Sequence, residues 1–280
     1  MSLFLMFQHL MPRLALTRLG GLLAQSQSGW FTRRLITWFI TRYGVDMSEA
    51  QQPDPSQYKS FNEFFTRALR ADARPLAKAD VVCPVDGAVS QWGAIAGEQI
   101  FQAKGHHYST QALLGGDADL ARLFEHGSFA TLYLSPRDYH RIHMPSEGVL
   151  RRMIHVPGDL YSVNPSTVSA LPGLFARNER VVCVFETPSG QPFAMVLVGA
   201  TIVGSMATVW HGVVNPPRSA QLRQWHYASG EHRLAQGAEM GRFMLGSTVI
   251  LLWPTQTLQL NPDWQSGTAV RMGQAMGHFV

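Results

Sequence analysis

The sequence predicts an α+β fold, with a largely antiparallel β sandwich or barrel-like core and amphipathic helices at its N-terminal side. From about residue 81 onward, short runs of Val, Ile, Leu and Thr alternate with Gly and Pro, and no long helical pattern separates them. This excludes a doubly wound parallel sheet, whose strands alternate with helices. Helical spacing of apolar residues occurs instead within the first 45 positions. With 46% hydrophobic and 15% charged residues among 280, the chain can fold around a sizeable core.

Residues 1–45 combine two amphipathic helical patterns with a one-sided charge. Apolar residues recur at helical spacing over 3–23, where Pro12 predicts a break or kink, and again over 30–43. The segment has five arginines and no Asp or Glu, and Trp30 and Trp38 suit a lipid–water boundary. Its apolar companions favour an anionic membrane surface over nucleic acid. Neither pattern has the ~20 apolar residues that span a bilayer. Packing of both helices on the domain is the structural alternative.

Residues 46–280 are predicted to form the main domain. Its first part, 46–60, is polar and proline-containing and is predicted to be a linker. Ser60 and Glu63 then have the spacing of a capping box, which predicts a helix over roughly 61–70. The side chains expected to face inward from this helix are Phe61, Phe64, Phe65 and Leu69.

The predicted strands are 81–90, 129–134, 148–156, 181–187, 193–209 and 247–253. The stretch Phe193–Val214 is long enough to span a membrane, but polar residues and glycines interrupt it. Two buried strands joined near Gly204 are therefore predicted. The two cysteines, Cys83 and Cys183, each lie in a run of valines and are expected to be buried and reduced.

Asp86 and Ser247 lie in short segments that are ordinary in isolation. Asp86 is followed by Gly87 after an apolar run, which by itself predicts a turn. Ser247 belongs to Leu245-Gly246-Ser247-Thr248, which by itself predicts a turn leading into a strand.

His140 and His143 stand three residues apart, between a Ser-Pro pair and a further proline. The pattern predicts a short helix that begins near Ser135 and places both imidazoles on one face. A general base with a second, substrate-contacting histidine, a metal pair and a structural pair are all compatible with this spacing. A zinc site would need a third protein ligand, and no HExxH-like pattern is present.

Together, these segments resemble those of the phosphatidylserine decarboxylases in their bacterial membrane-associated form. The resemblance covers roughly residues 60–253, and the ordered set is specific although each motif alone is weak. The matching motifs are Pro84-Val85-Asp86-Gly87, Ala103-Lys104-Gly105-His106, Tyr108-Ser109, Leu132-Tyr133-Leu134-Ser135-Pro136-Arg137-Asp138-Tyr139-His140-Arg141, His143-Met144-Pro145, Val156-Pro157-Gly158-Asp159-Leu160, Leu174-Phe175-Ala176-Arg177-Asn178-Glu179-Arg180, Val198-Gly199-Ala200, Val203-Gly204-Ser205 and Leu245-Gly246-Ser247-Thr248. The first 45 residues and the tail after about 255 resemble the family only in general character and contain none of the matching motifs.

The resemblance implies a precursor that cuts its own chain between Gly246 and Ser247. Residues 1–246 would become the β chain and residues 247–280 the α chain, whose first residue becomes a covalent pyruvoyl group, the cofactor of the enzyme. The family pattern implies Ser247 as nucleophile, His143 as its base and Asp86 as the carboxylate that orients the base, with no metal. His140 is the candidate proton donor or substrate contact in the later reaction.

The implied reaction is the decarboxylation of phosphatidylserine to phosphatidylethanolamine and CO₂. The pyruvoyl ketone forms a Schiff base with the serine amine and accepts the electrons left when CO₂ departs, the role that pyridoxal phosphate plays elsewhere. The implied partners are phosphatidylserine in an anionic membrane and the two chains of one precursor, with a homo-oligomer also allowed. The expected location is the cytoplasmic side of the cell membrane, as a peripheral protein.

Three alternatives make different demands on the sequence. A lipid-acting serine hydrolase could use Ser247, His143 and Asp86, but the Gly-x-Ser-x-Gly motif is absent. A pyridoxal enzyme needs a Schiff-base lysine, and the chain offers Lys59, Lys78 and Lys104. A non-enzymatic membrane-bound β module would assign no function to the histidine pair or to the Gly-Ser-Thr site.

Overall fold

The computed structural model describes residues 13–201, 205–215, 218–244 and 248–280, which form the predicted α+β fold. The described helices are α1 (Arg13–Gln25), α2 (Gly29–Tyr43), α3 (Phe61–Phe65), α4 (Thr110–Leu113), α5 (Ala118–Arg122), α6 (Pro165–Ala170) and α7 (Leu174–Arg177), with a 3-10 turn at Pro55–Gln57. The described strands are β1 (Val81–Val82), β2 (Gly87–Ala94), β3 (Gln99–Ala103), β4 (His106–Ser109), β5 (Ser128–Tyr133), β6 (Arg141–His143), β7 (Gly148–Val156), β8 (Arg180–Glu186), β9 (Pro192–Val198), β10 (Met206–Thr208), β11 (Gly212–Asn215), β12 (Arg223–His226), β13 (Arg233–Leu234), β14 (Glu239–Phe243), β15 (Thr248–Trp253), β16 (Leu258–Leu260), β17 (Ala269–Val270) and β18 (Ala275–Phe279).

The largest sheet of the described chain is antiparallel and has the order β12-β7-β8-β9-β15-β5-β2-β17, with β13 paired to β7. Strand β15 lies in its middle, between β9 and β5. Val249, Leu251 and Trp253 enter one core cluster, whereas Ile250 and Leu252 enter another on the opposite face. Because side chains alternate across a strand, burial of both faces requires the continuous apolar run that the sequence contains.

Smaller elements cover both faces of this sheet. The sheet β11-β10-β14-β6 contributes Met206, Met240 and Phe243 to the first cluster, and α4–α7 contribute apolar residues to the second. Within the described residues, β1-β18-β16 and β3-β4 form two further sheets. The architecture is therefore a loose sandwich, in which the sheets β11-β10-β14-β6 and β1-β18-β16 lie against one face of the broad sheet, and the short helices and β3-β4 lie against the other.

The predicted strands are present with shifted ends. The stretch 81–90 is divided into β1 and β2, and 193–209 contains β9 and β10, as expected for two strands; residues 202–204 of their connection lie outside the described chain. Cys183 lies in β8 and Cys83 just after β1, and both are buried free thiols. Burial raises the pKa of the Cys83 thiol to about 12, so it is protonated at neutral pH.

The N-terminal helices pack on the domain with one face and expose large apolar side chains on another. Ile36 and Phe39 of α2 join a cluster with the phenylalanines of α3. Trp30 and Trp38 are 68% and 55% exposed. No helix among the described residues has both the length and the apolar character to cross a membrane. The predicted helical pattern over 3–23 is observed from Arg13, and residues 1–12 lie outside the described chain.

Helix α3 is shorter than the predicted 61–70, and residues 46–60 are not a free linker. Ser60 caps the helix by accepting a hydrogen bond from the Glu63 amide at 3.1 Å, as predicted. The helix ends at Phe65, because the following residues instead pair with the preceding segment through a bridge between Leu69 and Ala50. Leu69 is consequently only half-buried, unlike the three phenylalanines.

Candidate active site

The predicted cleavage bond, Gly246–Ser247, lies in the connection between β14 and β15. Residues 245–247 are outside the described chain, so the structure gives no position for the nucleophile. The strand that precedes them is well placed: β14 pairs with β6, and the Phe243 amide donates to the carbonyl of His140 at 3.1 Å. The chain therefore approaches the predicted cleavage bond directly beside the segment that carries both candidate histidines.

The chain continues after the predicted cleavage bond in the centre of the large sheet. Thr248 pairs with Tyr133 of β5 on one side and with Val198 of β9 on the other. Tyr133 in turn pairs with Ala88 of β2, two residues after Asp86. The fold thus brings Asp86, the histidine segment and the start of the predicted α chain to one end of the sheet, although they are far apart in sequence.

His143 is a buried, neutral imidazole with both ring nitrogens occupied. Nδ1 lies 2.8 Å from the carbonyl oxygen of Gly237 and Nε2 lies 3.0 Å from the hydroxyl of Tyr139. A carbonyl only accepts, so Nδ1 carries the proton and the Nε2 lone pair accepts from Tyr139. Burial lowers the pKa of His143 more than the Gly237 bond raises it. The site therefore offers a neutral base at Nε2.

Asp86 bonds to Arg74 instead of to His143. Its carboxylate accepts from Arg74 Nη2 at 2.6 Å and from Nε at 3.0 Å, and from the Met272 amide at 2.9 Å. A guanidinium matches a carboxylate with two parallel bonds, which accounts for this preference. The charge of Asp86 still raises the pKa of His143, although less than burial lowers it. The structure thus brings the two residues near each other without a hydrogen bond, and the part of Asp86 in self-cleavage stays a prediction.

His140 is fully buried, and one of its ring nitrogens has no partner. Nδ1 lies 2.8 Å from the carbonyl oxygen of Asp138, so it carries the proton, while Nε2 is an acceptor without a hydrogen bond in the described chain. The ring packs on Phe65 with centroids 4.0 Å apart. Burial lowers the pKa of His140 to about 3, so this imidazole is neutral at physiological pH.

The predicted short helix around the two histidines is wrong. Ser135 and Asp138 instead close a turn, in which the Asp138 amide donates to the Ser135 carbonyl at 3.0 Å. The chain then forms strand β6, Arg141–His143, because β14 supplies hydrogen-bond partners from elsewhere in the sequence. His140 and His143 therefore do not share a helix face, and each has its own surroundings.

Three buried polar atoms near the end of β14 and the start of β15 have no hydrogen-bond partner in the described chain. They are Ser135 Oγ, His140 Nε2 and Thr248 Oγ1. Such atoms are costly unless something bonds to them during function. One of them belongs to the residue that follows Ser247. Hydrogen-bonding atoms of this kind would fit a small carbonyl-bearing group such as the predicted pyruvoyl.

A cavity of ≈ 550 Å³ opens beside these residues. Asp86, Tyr133, Ser135 and Tyr139 line it, together with the arginines described below. This volume is ample for a polar lipid headgroup. Lys59, Lys78 and Lys104 are exposed and do not line the cavity, which argues against a Schiff-base lysine there.

Three residues that contact the predicted site residues had no role assigned from the sequence. Arg74 holds Asp86, and Tyr139 and Gly237 hold His143. Tyr139 was within a recognised motif, but nothing marked its hydroxyl as the partner of His143. Gly237 acts through its backbone carbonyl, which leaves no side-chain signal in a sequence.

Comparisons with known proteins cover nearly the whole chain. Residues 61–278 match the sequence model of the family described as phosphatidylserine decarboxylase, and residues 3–44 match a second model described as PSD. A protein of Albidiferax ferrireducens is 66% identical over 269 residues, covering 96% of this chain and 94% of the relative. One of Variovorax paradoxus is 65% identical over 273 residues, covering 98% and 96%. Both relatives carry the name phosphatidylserine decarboxylase proenzyme.

Proposed function

Because this chain belongs to the phosphatidylserine decarboxylase family and is a decarboxylase, we propose that it converts phosphatidylserine to phosphatidylethanolamine and CO₂ with a pyruvoyl group of its own making. The observation that carries the proposal is the neutral His143 on β6, the strand paired with β14, because β14 leads to the bond that would be cut between Gly246 and Ser247. The name proenzyme, borne by its relatives, supports a precursor that is processed.

Self-cleavage begins when His143 Nε2 takes the proton of the Ser247 hydroxyl. The oxygen attacks the carbonyl carbon of Gly246, the C–N bond breaks, and the amine of residue 247 takes up the proton, so that an amide becomes an ester. Removal of the α-hydrogen of residue 247 then breaks the Oγ–Cβ bond and leaves a carboxylate on Gly246 and a dehydroalanine. Addition of water and loss of ammonia convert the dehydroalanine into the pyruvoyl group.

Tyr139 and Gly237 prepare His143 for this step. The Gly237 carbonyl fixes the proton on Nδ1, as the orienting carboxylate does in a Ser-His-Asp triad. The Tyr139 hydroxyl is hydrogen-bonded to Nε2 of His143, and this bond must break before the Ser247 hydroxyl can donate to Nε2. Burial raises the pKa of Tyr139 to about 12, so Tyr139 is a donor and not a competing base at neutral pH.

Decarboxylation uses the pyruvoyl carbonyl as an electron sink for the amine-bearing carbon that loses CO₂. His140 is suited to contact the substrate in this stage, because its unpartnered Nε2 is an acceptor. We assign to it a hydrogen bond from the substrate ammonium, which orients the amine-bearing end of the headgroup.

Processing of newly made precursor should follow the neutral fraction of His143. A base acts when deprotonated, and burial lowers the pKa of His143 below its ordinary 6.5. The processing rate should therefore be constant through neutral pH and reach half its maximum below pH 6.5. Intact-mass spectrometry of precursor from a cell-free system, sampled over time at each pH, measures this rate and identifies a blocked residue 247.

The exposed His107 provides a control, because His107→Gln should leave the pH profile unchanged. A midpoint near or above neutral pH would assign the base to another group. An active preparation that contains one intact chain would refute self-cleavage altogether.

We also propose that the N-terminal helices hold the enzyme on the cytoplasmic surface of the cell membrane. Arginines near an anionic surface contribute roughly 1 kcal/mol each, and the exposed Trp30 and Trp38 are available to enter the lipid boundary. A phospholipid substrate requires such proximity, because its acyl chains remain in the bilayer.

Removal of residues 1–45 should release the protein from anionic vesicles, as measured by co-sedimentation. Because this deletion also removes Ile36 and Phe39 from a core cluster, the sharper variant is Trp30→Ser with Trp38→Ser. It should weaken vesicle binding about tenfold or more with the fold intact. Leu123→Ser, an exposed leucine elsewhere, is the matched control. Undiminished binding of the double variant would contradict the assignment.

A further inference from the structure

Arg67, which follows α3, is a buried guanidinium with few partners. The residue is 4% exposed. Its Nη2 donates to the Arg137 carbonyl at 3.4 Å, and its Nε is buried without a hydrogen bond. Nη1 makes no hydrogen bond in the described chain, and Arg67 lines the cavity beside Asp86. The guanidinium also lies 5.5 Å from the centre of the Phe64 ring. A buried charge with one long hydrogen bond and one aromatic contact is still costly to the folded state.

Other arginines of the cavity wall differ from Arg67 in having carboxylate partners. Arg74 is paired with Asp86 and Glu49, and Arg271 with Glu49. No carboxylate of the described chain forms an ion pair with Arg67. Burial lowers the pKa of Arg67 more than nearby carboxylates raise it, Asp86 among them. The wall therefore presents one buried cation that its neighbours leave unneutralised.

The ligand that suits this cation is an anion with two oxygens, since a guanidinium binds carboxylate or phosphate with parallel bonds. Under the proposed function, the substrate carries both a carboxylate and a phosphodiester. The carboxylate loses its charge as CO₂ leaves, so a strong partner there would stabilise the ground state over the transition state. The phosphodiester keeps its charge throughout and can supply binding energy at no such cost.

We propose that Arg67 binds the phosphodiester of the serine headgroup, an assignment that rests on the proposed function. Tyr139, which lines the same cavity, bonds to His143. The charge of Arg67 also reaches His140, whose pKa it lowers in addition to the larger effect of burial. A phosphate held at Arg67 would thus lie in the cavity that Tyr139 lines, beside a cation that is close enough to His140 to act on its pKa.

The test compares wild type, Arg67→Met and Arg67→Lys with short-chain phosphatidylserine as substrate and glycerophosphoethanolamine as inhibitor. The inhibitor has the phosphodiester but no carboxylate. Arg67→Met should raise KM and the inhibition constant by the same factor, about 10–100-fold, with kcat within about threefold. Arg67→Lys should be intermediate, because it keeps the charge and loses the paired bonds.

Each contrary result assigns Arg67 differently. A raised KM with an unchanged inhibition constant would place the substrate carboxylate at Arg67. A fall in kcat alone would place Arg67 at the reacting atoms. Inorganic phosphate that inhibits wild type as strongly as glycerophosphoethanolamine would indicate a general anion site. Any of these, or no change at all, overturns the proposal. Wild-type processing and activity in the same assay separate its failure from failure of the proposed function.

Thermal unfolding distinguishes a binding role from a structural one. Arg67→Met should keep or raise the unfolding temperature, because an apolar chain of similar length replaces an uncompensated charge. The matched control is Arg180→Met, since Arg180 is equally buried but donates to three backbone carbonyls away from the cavity. It should unfold about 5 °C or more lower with an unchanged inhibition constant. The opposite pattern would make Arg67 a structural residue.

Discussion

The Ser247→Ala variant should remain one chain of 280 residues and show no decarboxylation. Alanine has no oxygen to attack the Gly246 carbonyl, so neither the cut nor the pyruvoyl group can form. The loss should be complete, because the same residue is both the nucleophile and the source of the cofactor. Denaturing gel electrophoresis and intact-mass spectrometry measure the first effect, and CO₂ release measures the second.

Ser266→Ala supplies the control for this experiment, since Ser266 is an exposed serine of the same predicted α chain. It should be processed and active like wild type. Two chains from Ser247→Ala would move the cut to another bond. A single chain with normal activity would remove the pyruvoyl group from the mechanism.

The Asp86→Asn variant should lose both stability and processing speed. Arg74 would keep Glu49 but lose its bidentate carboxylate in a buried setting, which should lower the free energy of unfolding by about 2–4 kcal/mol. Processing should slow by less than the roughly 10²–10⁴-fold expected for His143→Ala. The reason is that Asp86 acts on His143 through space and through the fold, without a hydrogen bond.

Stability is best measured by urea unfolding in a Ser247→Ala background, where every variant is one chain. Asp72→Asn is the matched control, because Asp72 forms an exposed pair with Arg70 and should change the free energy of unfolding by less than about 0.5 kcal/mol. Processing at the wild-type rate in Asp86→Asn would exclude Asp86 from self-cleavage. A loss equal to that of His143→Ala would indicate that Asp86 and His143 act as one unit in the precursor.

The strands and the N-terminal helices could be predicted because their signals are local. Strand β15 is a continuous apolar run, and α2 has helical periodicity. The end of α3 could not be predicted, because it depends on the long-range bridge between Leu69 and Ala50. The helix predicted for the histidine segment was wrong for the same reason. A Ser-Pro start favours a helix locally, but hydrogen bonds from β14 make residues 141–143 a strand.

Candidate site residues could be named from the sequence where they lie in motifs, but their long-range contacts could not. Asp86, His140, His143 and Ser247 are predicted site residues because each lies in a recognisable motif, and their roles stay predictions. The Gly237 carbonyl that orients His143 lies 94 residues away in sequence. The lack of a carboxylate partner for Arg67 among the described residues is a property of its surroundings and has no sequence pattern.

The central place of β15 has a consequence for the molecularity of folding. After the proposed cut, the small chain contributes β15 to the middle of the large sheet and β18 to a pair with β1, both bonded to strands of the large chain. Unfolding would then release two polypeptides, and recovery would require a bimolecular encounter that becomes slower on dilution. The precursor folds as a single molecule. Processed enzyme that unfolds in the cell should therefore be lost, so the supply of active enzyme depends on new synthesis.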